Sequence, residues 1–314
     1  MALLAVLASL AALVSFALSS GPSLPSAQAA YDLGVPPPVP ARPPAEPTRI
    51  PGPGTPAGDS KIIDLKVGDE DRAYFLLPAL NLPEGMPASL VVVLHQDVGS
   101  AREMSVGLGL DDLRKQGITL AYPAGIGGSW NAGGCCGIAQ SRGVDDVGFV
   151  NAVLEDAGRH TAIDPASRAI VGYSGGGMLL YRLLCLAHPA LAAGVEINGS
   201  LESHCANGLR MPDLLSVHGE KDGSVGVTSS RYVNHLKMSP RSVTSTLGTI
   251  TGQAGCGPRS ERRTNGIDVW TYRDCRGGST VQAQIVPGAG HGWADVGGAV
   301  RATSFLLPRL AKRP

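Results

Sequence analysis

Three residues of this chain, Ser174, Asp222 and His291, have the types and the chain order of a nucleophile, an acid and a base that work together. A serine hydroxyl is a weak nucleophile near neutral pH, so it attacks a carbonyl carbon only when a histidine takes its proton. A carboxylate bonded to that histidine holds the imidazole in the required tautomer and stabilises its protonated form. The chemistry that these residues predict is acyl transfer through a covalent serine intermediate.

Ser174 lies in residues 172–176, Gly-Tyr-Ser-Gly-Gly, which match the G-x-S-x-G nucleophile elbow. Glycines two positions before and after the serine let the backbone turn sharply between a strand and a helix, which exposes the hydroxyl. The chain has 42 glycines in 314 residues, so a given serine would carry both glycines by chance about 2% of the time. The pentapeptide therefore needs support from the elements around it.

Each of the three residues follows an apolar run that predicts a buried strand. These strands are predicted at residues 168–172, 214–218 and 281–286. Functional loops of an open parallel sheet lie at the carboxyl ends of its strands. We therefore expect the three side chains to meet at one edge of the sheet.

The remaining pattern alternates between strands and helices. Further strands are predicted at residues 61–67, 72–78, 89–95, 117–122 and 192–198, and helices at 101–113, 144–161, 175–187 and 299–307, the last ended by Pro308. An antiparallel pair followed by alternating β and α elements predicts an α/β-hydrolase fold, with a mostly parallel central sheet and helices on both faces. In that fold the triad residues follow in the order serine, acid, histidine, as they do here.

The acid and the histidine each have alternatives. Asp222 would also fit an ordinary turn, and His291 would also fit as a loop histidine without a catalytic role. Glu220 is the nearest rival acid, whereas Asp213 precedes its strand and so lies at the wrong end of it. His218 ends a strand and is expected to brace a loop.

An oxyanion hole requires two backbone N–H groups directed at the developing negative charge. Gly175, directly after the nucleophile and at the positive end of its helix, is the first predicted donor. The second is expected from the loop after strand 89–95, at Gln96 or Asp97, and the sequence leaves that choice open. His95 ends the same strand and is expected to brace this loop.

The N-terminal residues are typical of an export signal. Residues 2–18 are apolar and uncharged, and residues 27–29, Ala-Gln-Ala, supply a small-x-small cleavage pattern. The apolar run is shorter than the ~20 residues that span a bilayer, so we expect a signal peptide over residues 1–30 rather than an anchor. Residues 31–59 are rich in proline and predict an extended linker, which leaves residues 60–314 as the catalytic domain.

The composition excludes some classes of partner. The chain has 26 basic and 26 acidic residues, so no net field favours nucleic acid or an anionic membrane. A neutral or apolar ester substrate, small or polymeric, is expected, with no nucleic-acid partner and no stable membrane span after processing. No C-x-x-C pair or clustered histidines predict a metal site, and no cofactor is expected.

An exported protein reaches an oxidising compartment, so the six cysteines are expected to form disulfides. Cys256 and Cys275 are close in sequence within a hairpin-like stretch, and a disulfide there would close a loop of about 20 residues and contribute about 3 kcal/mol. The other four cysteines are expected to pair among themselves. Cys135 and Cys136 are not expected to bond each other, because vicinal disulfide geometry is strained.

Four segments form a more specific pattern than the elbow alone. They are residues 129–137 (Ser-Trp-Asn-Ala-Gly-Gly-Cys-Cys-Gly), 144–149 (Val-Asp-Asp-Val-Gly-Phe), 172–178 and 290–293 (Gly-His-Gly-Trp). Together they resemble the secreted poly(3-hydroxybutyrate) depolymerase and feruloyl esterase family, and the resemblance extends over roughly residues 60 to 310. It implies an α/β-hydrolase that cleaves carboxylic esters, with Ser174, Asp222 and His291 at the matching triad positions.

The chain departs from this family at two places. The family commonly has His-Gly after the third strand, where this chain has His95-Gln96, and Ser-Asn-Gly-Gly at the elbow, where residues 174–177 are Ser-Gly-Gly-Gly. Both departures leave the triad groups intact, and Gly175 still offers its backbone N–H. A glutamine beside the loop that follows strand 89–95 narrows the site, so the substrate preference of the family does not carry over directly. The sequence leaves three substrate classes open: a hydroxyalkanoate polymer, a feruloylated polysaccharide and a small lipid.

The sequence thus predicts a serine esterase that is secreted or held in the cell envelope. Trp130 and Trp293 flank the predicted site and are expected either to contact an aromatic or polyester substrate or to pack in the core. One alternative function is transfer of the acyl group to a sugar or lipid alcohol. Another is a cell-envelope binding protein that keeps a hydrolase scaffold without turnover, which the altered loop at His95-Gln96 favours.

Overall fold

The computed structural model describes residues 60–186 and 190–310. The predicted signal peptide, residues 1–30, and the predicted linker, residues 31–59, lie outside the described residues. Among the helices of the described ranges, none has the length and hydropathy of a transmembrane segment.

Ten strands in the described part of the chain form one sheet. They are β1 (Lys61–Val67), β2 (Glu70–Leu77), β3 (Ala88–Leu94), β4 (Ile118–Pro123), β5 (Ile163–Tyr173), β6 (Ala193–Ile197), β7 (Asp213–Gly219), β8 (Ser260–Thr264), β9 (Ile267–Tyr272) and β10 (Val281–Val286). The order across the sheet is β1-β2-β4-β3-β5-β6-β7-β10-β9-β8. The six strands from β4 to β10 run parallel, and antiparallel pairs close both edges.

Burial explains why the central strands are apolar throughout. Every residue of β3, β4 and β6 is buried, because helices cover both faces of these strands. The edge strand β1 instead alternates between exposed and half-buried residues. The opposite edge strand, β8, has the sequence Ser-Glu-Arg-Arg-Thr and is largely exposed, and its charges oppose pairing with another sheet.

Six α-helices lie within the described ranges. They are α1 (Ala101–Gly107), α2 (Gly137–Ser141), α3 (Asp146–His160), α4 (Gly175–Cys185), α5 (Val243–Gln253) and α6 (Gly298–Leu310). Apolar side chains of α1 and α6 pack on one face of the sheet, and those of α3, α4 and α5 pack on the other. The predicted arrangement of a mostly parallel sheet with helices on both faces is therefore confirmed.

Four helices differ from the prediction, and one of them is α2, which was not predicted. Helix α1 is shorter than predicted, and Asp111–Gln116 forms a separate 3₁₀ helix after Gly109, whose φ is +68°. Helix α5 was not predicted, because its sequence is rich in threonine, serine and glycine. Helix α6 continues through Pro308 to Leu310. Proline removes one N–H in the last turn, and the carbonyl it would have bonded belongs to Ser304, which is exposed to water.

The structure contains three disulfides among the described residues. The predicted Cys256–Cys275 bond is present, as is a bond between Cys185 and Cys205. The expectation that Cys135 and Cys136 do not pair is wrong, because the structure joins them in a vicinal disulfide. The peptide bond between them is cis, with the two Cα atoms 3.1 Å apart, whereas a trans peptide holds them about 3.8 Å apart.

Candidate active site

Ser174 forms the sharp junction between β5 and α4. Its φ of +51° and ψ of −115° belong to a region that residues other than glycine rarely adopt. The Ser174 N–H donates to the Ile197 carbonyl at 2.8 Å, and the Met178 N–H donates to the Ser174 carbonyl at 2.9 Å. The neighbouring strand and the first helical turn thus hold the strained residue from both sides.

The glycines of the elbow are required by close backbone contacts. A Cβ atom at Gly172 would collide with the Gly176 carbonyl, and one at Gly176 would collide with the Leu94 carbonyl at the end of β3. The strand, the turn and the following helix therefore pack with no space for a side chain at either position. This contact explains the spacing of the G-x-S-x-G pattern in physical terms.

His291 lies between Ser174 and Asp222. Its Nε2 is 2.8 Å from the Ser174 Oγ, and its Nδ1 is 2.7 Å from the Asp222 Oδ2. The other oxygen of Asp222 accepts hydrogen bonds from the backbone N–H groups of Ser224 and Val225, at 2.7 and 2.9 Å. The Asp222 side chain is fully buried, while the histidine side chain is 30% exposed.

These partners decide where the hydrogens lie. A carboxylate only accepts, so the Nδ1 of His291 carries the hydrogen that is donated to Asp222. The Nε2 then presents its lone pair to the hydroxyl of Ser174. This arrangement is the one that lets an imidazole remove a proton from serine.

The rival acids lie in other contacts. Glu220 is exposed and accepts a hydrogen bond from the Gly288 N–H at 2.8 Å. Asp213 starts β7, at the opposite end of the sheet, and pairs with Arg309 at 2.8 Å. Neither carboxyl is hydrogen-bonded to His291 among the described residues, so Asp222 is the acid that the geometry brings to the histidine.

The candidate oxyanion hole lies where α4 meets the loop after β3. Gly175 is the first residue of α4, so its N–H has no acceptor within the helix. A Cβ built on Gly175 would lie 2.9 Å from the backbone nitrogen of Asp97. The Gln96 side chain instead folds back on its own loop, against Gly99. Of the two residues that the sequence left open, Asp97 is the one whose N–H lies beside Gly175.

The carboxyl of Asp97 is an unusual neighbour for this hole. Its Oδ1 is buried and has no hydrogen-bond donor among the described residues. Burial raises the pKa of this carboxyl, and the charge of the nearby His235 partly offsets that rise. The protonated form of Asp97 is therefore favoured to a higher pH than in an exposed aspartate.

Curated relatives place this chain in a family. No family model matches the sequence. "Putative esterase NocK" of Nocardia uniformis subsp. tsuyamanensis is 30% identical over 250 residues, which cover 73% of this chain and 71% of NocK. "Probable feruloyl esterase C" of Aspergillus niger is 25% identical over 72% of this chain and 78% of its own length. The chain belongs to the feruloyl esterase family. It is a carboxylic ester hydrolase.

Solved structures show the same fold. An acetyl xylan esterase from Aspergillus awamori superposes with a TM-score of 0.57 at 15% identity, covering 79% of this chain and 99% of that one. A dienelactone hydrolase-like promiscuous phosphotriesterase, P91, superposes with a TM-score of 0.54 at 16% identity, covering 81% and 98%. The predicted α/β-hydrolase fold of the esterase is thereby confirmed.

His95 braces the loop that follows β3. Its side chain is buried, and this burial lowers the pKa of His95 to about 4, so the ring is neutral near pH 7. The Nε2 accepts a hydrogen bond from the Gly125 N–H at 2.9 Å, and the Nδ1 is 2.8 Å from the Gln96 carbonyl. A neutral imidazole satisfies both contacts, with its hydrogen on Nδ1.

The two tryptophans pack beneath the site. Trp130 has no exposed surface, and its Nε1 donates to the His95 carbonyl at 2.8 Å. Trp293 is also buried, donates to the Leu108 carbonyl at 3.2 Å and lies edge-on to Tyr173. Of the two roles left open for Trp130, burial favours core packing, because a ring with no exposed surface offers none to a substrate. The burial of Trp293 likewise favours the alternative role of core packing.

Residues 129–137, which contain Cys135 and Cys136, form the paired-cysteine loop of the esterase. A buried ion pair holds this loop in place. Asp146 accepts a hydrogen bond from the Asn131 N–H at 2.7 Å and pairs with Arg72 at 2.7 Å. The guanidinium of Arg72 also lies 3.8 Å from the ring centre of Phe149. Segments 129–137 and 144–149, which identified the family from the sequence, therefore contact each other as structural support.

Two residues of the site were missed from the sequence. Asn198 and Tyr173 both donate hydrogen bonds to the carbonyl of His291, at 2.7 and 3.0 Å. Tyr173 lies inside the elbow pattern, but that pattern assigns no role to its side chain. Asn198 follows β6 with a φ of +53°, and its place at the carboxyl end of the predicted strand 192–198 was the only available signal.

Proposed function

We propose that the esterase hydrolyses carboxylic esters through Ser174 as nucleophile, His291 as base and acid, and Asp222 as the partner of the histidine. The observation that supports this proposal is the chain of two hydrogen bonds, 2.8 Å from Ser174 to His291 and 2.7 Å from His291 to Asp222. Their polarity matches the direction in which a proton must move.

In acylation, the Ser174 Oγ attacks the ester carbonyl while its proton passes to the Nε2 of His291. The carbonyl oxygen becomes an oxyanion, which the N–H groups of Gly175 and Asp97 stabilise. When the tetrahedral intermediate collapses, the bond to the alcohol breaks and His291 returns the proton to the alcohol oxygen. The product of this step is an acyl ester of Ser174.

In deacylation, a water molecule takes the place of the alcohol. His291 removes its proton as it attacks the acyl carbon, and the same two N–H groups stabilise the second oxyanion. Collapse releases the carboxylic acid and returns the proton to Ser174. Throughout both steps the buried Asp222 stabilises the imidazolium of His291.

The proposed substrates are feruloyl esters. The relatives named for this activity include the feruloyl esterases C of Aspergillus and feruloyl esterase B of Piromyces equi, which is 24% identical over 66% of this chain and 40% of its own length. We infer that the chain is exported and that residues 60–314 form its catalytic domain. Three disulfides among the described residues support an oxidising compartment.

The decisive experiment compares the wild type with Ser174→Ala on methyl ferulate. Loss of the nucleophile is expected to lower turnover by about 10⁴- to 10⁶-fold, with an unchanged circular dichroism spectrum. Ser141→Ala, which removes an exposed hydroxyl bonded to the Ile138 carbonyl, is the matched control and should keep full activity. Persistent hydrolysis by Ser174→Ala would contradict the proposal.

Two further measurements separate the alternatives. Product analysis with competing sugar and lipid alcohols distinguishes hydrolysis from acyl transfer, since a transferase forms a new ester instead of a free acid. Covalent labelling of Ser174 by a fluorophosphonate distinguishes an enzyme from a binding protein, since labelling requires an activated serine. A polyhydroxybutyrate film tested beside methyl ferulate compares polymer and feruloyl substrates.

A further inference from the structure

A turn that carries none of the three proposed catalytic residues contacts all three of their segments. Strand β6 lies between β5 and β7 in the sheet, and residues 197–199 form the turn at its carboxyl end. We propose that Asn198 is a positioning residue that fixes the histidine loop to the acid loop for proton transfer. This inference rests on the proposed function, because it assigns Asn198 a role in the geometry of that triad.

The turn first contacts the nucleophile. The Ile197 carbonyl accepts the hydrogen bond from the Ser174 N–H at 2.8 Å. A Cβ built on Gly199 would lie 2.8 Å from the Ser174 carbonyl oxygen and 2.9 Å from the Met178 nitrogen. The backbone of the turn therefore packs directly against the elbow, with no side chain between them.

The side chain of Asn198 then joins the other two loops. Its Nδ2 donates to the His291 carbonyl at 2.7 Å, and its Oδ1 accepts from the Gly219 N–H at 3.1 Å. Gly219 begins the acid loop, where its carbonyl accepts a hydrogen bond from the Asp222 N–H at 3.2 Å. One amide group thus spans from the backbone of the histidine to the backbone that carries the acid.

The chemistry of the two contacts requires an amide. A carbonyl accepts and a backbone N–H donates, so the side chain between them must present one donor and one acceptor. Asparagine supplies both within one planar group, and these partners fix which end is nitrogen. Asn198 is fully buried, so water does not replace its amide in either contact. Loss of a contact therefore removes a hydrogen bond from the His291 carbonyl or from the Gly219 N–H.

A buried carboxylate holds the turn from below. One oxygen of Glu196 accepts a hydrogen bond from the Gly199 N–H. The other accepts from the hydroxyls of Tyr181 and Ser216, at 3.0 and 2.9 Å, and lies 3.0 Å from the Nε2 of His218. Glu196 is itself fully buried. These contacts fix the backbone of the turn, and so fix the position from which the Asn198 side chain binds the two loops.

Tyr173 provides a comparison within the same site. Its hydroxyl also donates to the His291 carbonyl, at 3.0 Å, but it makes no hydrogen bond to the acid loop among the described residues. Tyr173→Phe therefore removes one bond to the His291 carbonyl and leaves the contact between Asn198 and Gly219 intact. Asn198→Ala removes a bond to the same carbonyl and also the contact with Gly219, while the backbone bond from the Lys221 N–H to the Ala289 carbonyl stays in place.

The test measures kcat per active site on methyl ferulate from pH 5 to pH 8 for Asn198→Ala, Asn198→Asp and Tyr173→Phe. Sites are counted by fluorophosphonate titration, and circular dichroism confirms the fold. Asn198→Ala is expected to lower kcat by about 10²-fold, with KM nearly unchanged and a ratio to wild type that does not vary with pH. Tyr173→Phe should lose less than about tenfold, also without pH dependence.

Asn198→Asp gives the sharpest readout. Because position 198 is fully buried, desolvation raises the pKa of the new carboxyl above that of an exposed aspartate. When protonated, this carboxyl supplies an O–H for the His291 carbonyl and an oxygen for the Gly219 N–H, so activity is best kept at the acid end of the range. Ionisation removes the donor, so the ratio of variant to wild-type kcat should fall by at least about tenfold between pH 5 and pH 8. Asp222, which pairs with His291, and Asp295, which accepts a hydrogen bond from the Gly292 N–H, are the same in every variant.

Two results would overturn this inference. One is a wild-type kcat per site in folded Asn198→Ala together with a flat pH ratio in Asn198→Asp. The other is a loss in Tyr173→Phe as large as that in Asn198→Ala, since the effect would then pass through the His291 carbonyl alone. Activity in Ser174→Ala would instead refute the triad itself, so the two failures are distinguishable.

Discussion

Asp97 and Gly175 approach so closely that a Cβ on the glycine would lie 2.9 Å from the aspartate's backbone nitrogen and 3.2 Å from its Cβ. The two N–H groups proposed to bind the oxyanion belong to these two residues. The loop after β3 therefore packs directly against the start of α4, so a change at either residue alters the distance between the two proposed donors.

Gly175→Ala is therefore expected to lower activity. The added methyl group pushes the Asp97 nitrogen away, and separation of one donor from the oxyanion costs about 10²- to 10³-fold in kcat. The measurement is kcat on methyl ferulate, with KM expected to change little because the oxyanion forms only during reaction. An unchanged kcat in Gly175→Ala would contradict the proposal that the Asp97 N–H stabilises the oxyanion.

Gly158→Ala is the matched control for this change. Gly158 lies in α3, and a Cβ there meets no atom within 4 Å. Alanine should leave kcat unchanged and stabilise the helix by about 0.5 to 1 kcal/mol. A similar loss of activity in both variants would show that the effect of Gly175→Ala is not local.

The thermal stability of Asp97→Asn is expected to depend on pH. Burial raises the pKa of Asp97, so the folded protein holds this proton to a higher pH than the unfolded chain does. The wild type therefore loses stability as pH rises from the ordinary aspartate pKa of about 3.9 through the raised value. Asp97→Asn removes that loss, so its Tm at pH 7 should exceed the wild-type Tm. The increase is expected to be only about 1 to 2 °C, because solvent screens the charge of a half-exposed carboxyl.

The difference in Tm between Asp97→Asn and the wild type should disappear below about pH 4, where both states of the wild type bind the proton. Calorimetry at pH 7 and at pH 3.5 measures it. Asp69→Asn, at an exposed turn position, is the control and should follow the wild type at both values. A Tm difference for Asp97→Asn that is constant with pH would contradict the raised pKa.

The sequence predicted what depends on local pattern. The apolar runs marked β3, β4 and β6 because those strands are buried on both faces, and the glycine spacing marked the elbow because Gly172 and Gly176 contact backbone. The chain order then gave Ser174, Asp222 and His291 as one set, and the structure brings their side chains within hydrogen-bond distance.

What the sequence missed depends on contacts between distant segments. Asn198 meets His291 across 93 positions and Gly219 across 21, and an isolated asparagine after a strand carries no sign of either partner. Trp130 was placed at the site because of its neighbours in sequence, but its ring turns inward to the His95 carbonyl. The pairing of Cys135 with Cys136 likewise depended on a peptide geometry that the sequence does not reveal.

The ion pair between Arg72 and Asp146 predicts a large loss of stability when one partner is removed. Both side chains are buried, at 1% and 0% exposure, so Asp146→Asn leaves the charge of Arg72 without its partner and should cost about 3 to 5 kcal/mol in the free energy of unfolding. Arg142→Met, which removes a half-exposed pair with Glu70, should cost less than about 1 kcal/mol. Urea unfolding of both variants measures the difference, and equal losses would contradict a buried support for the paired-cysteine loop.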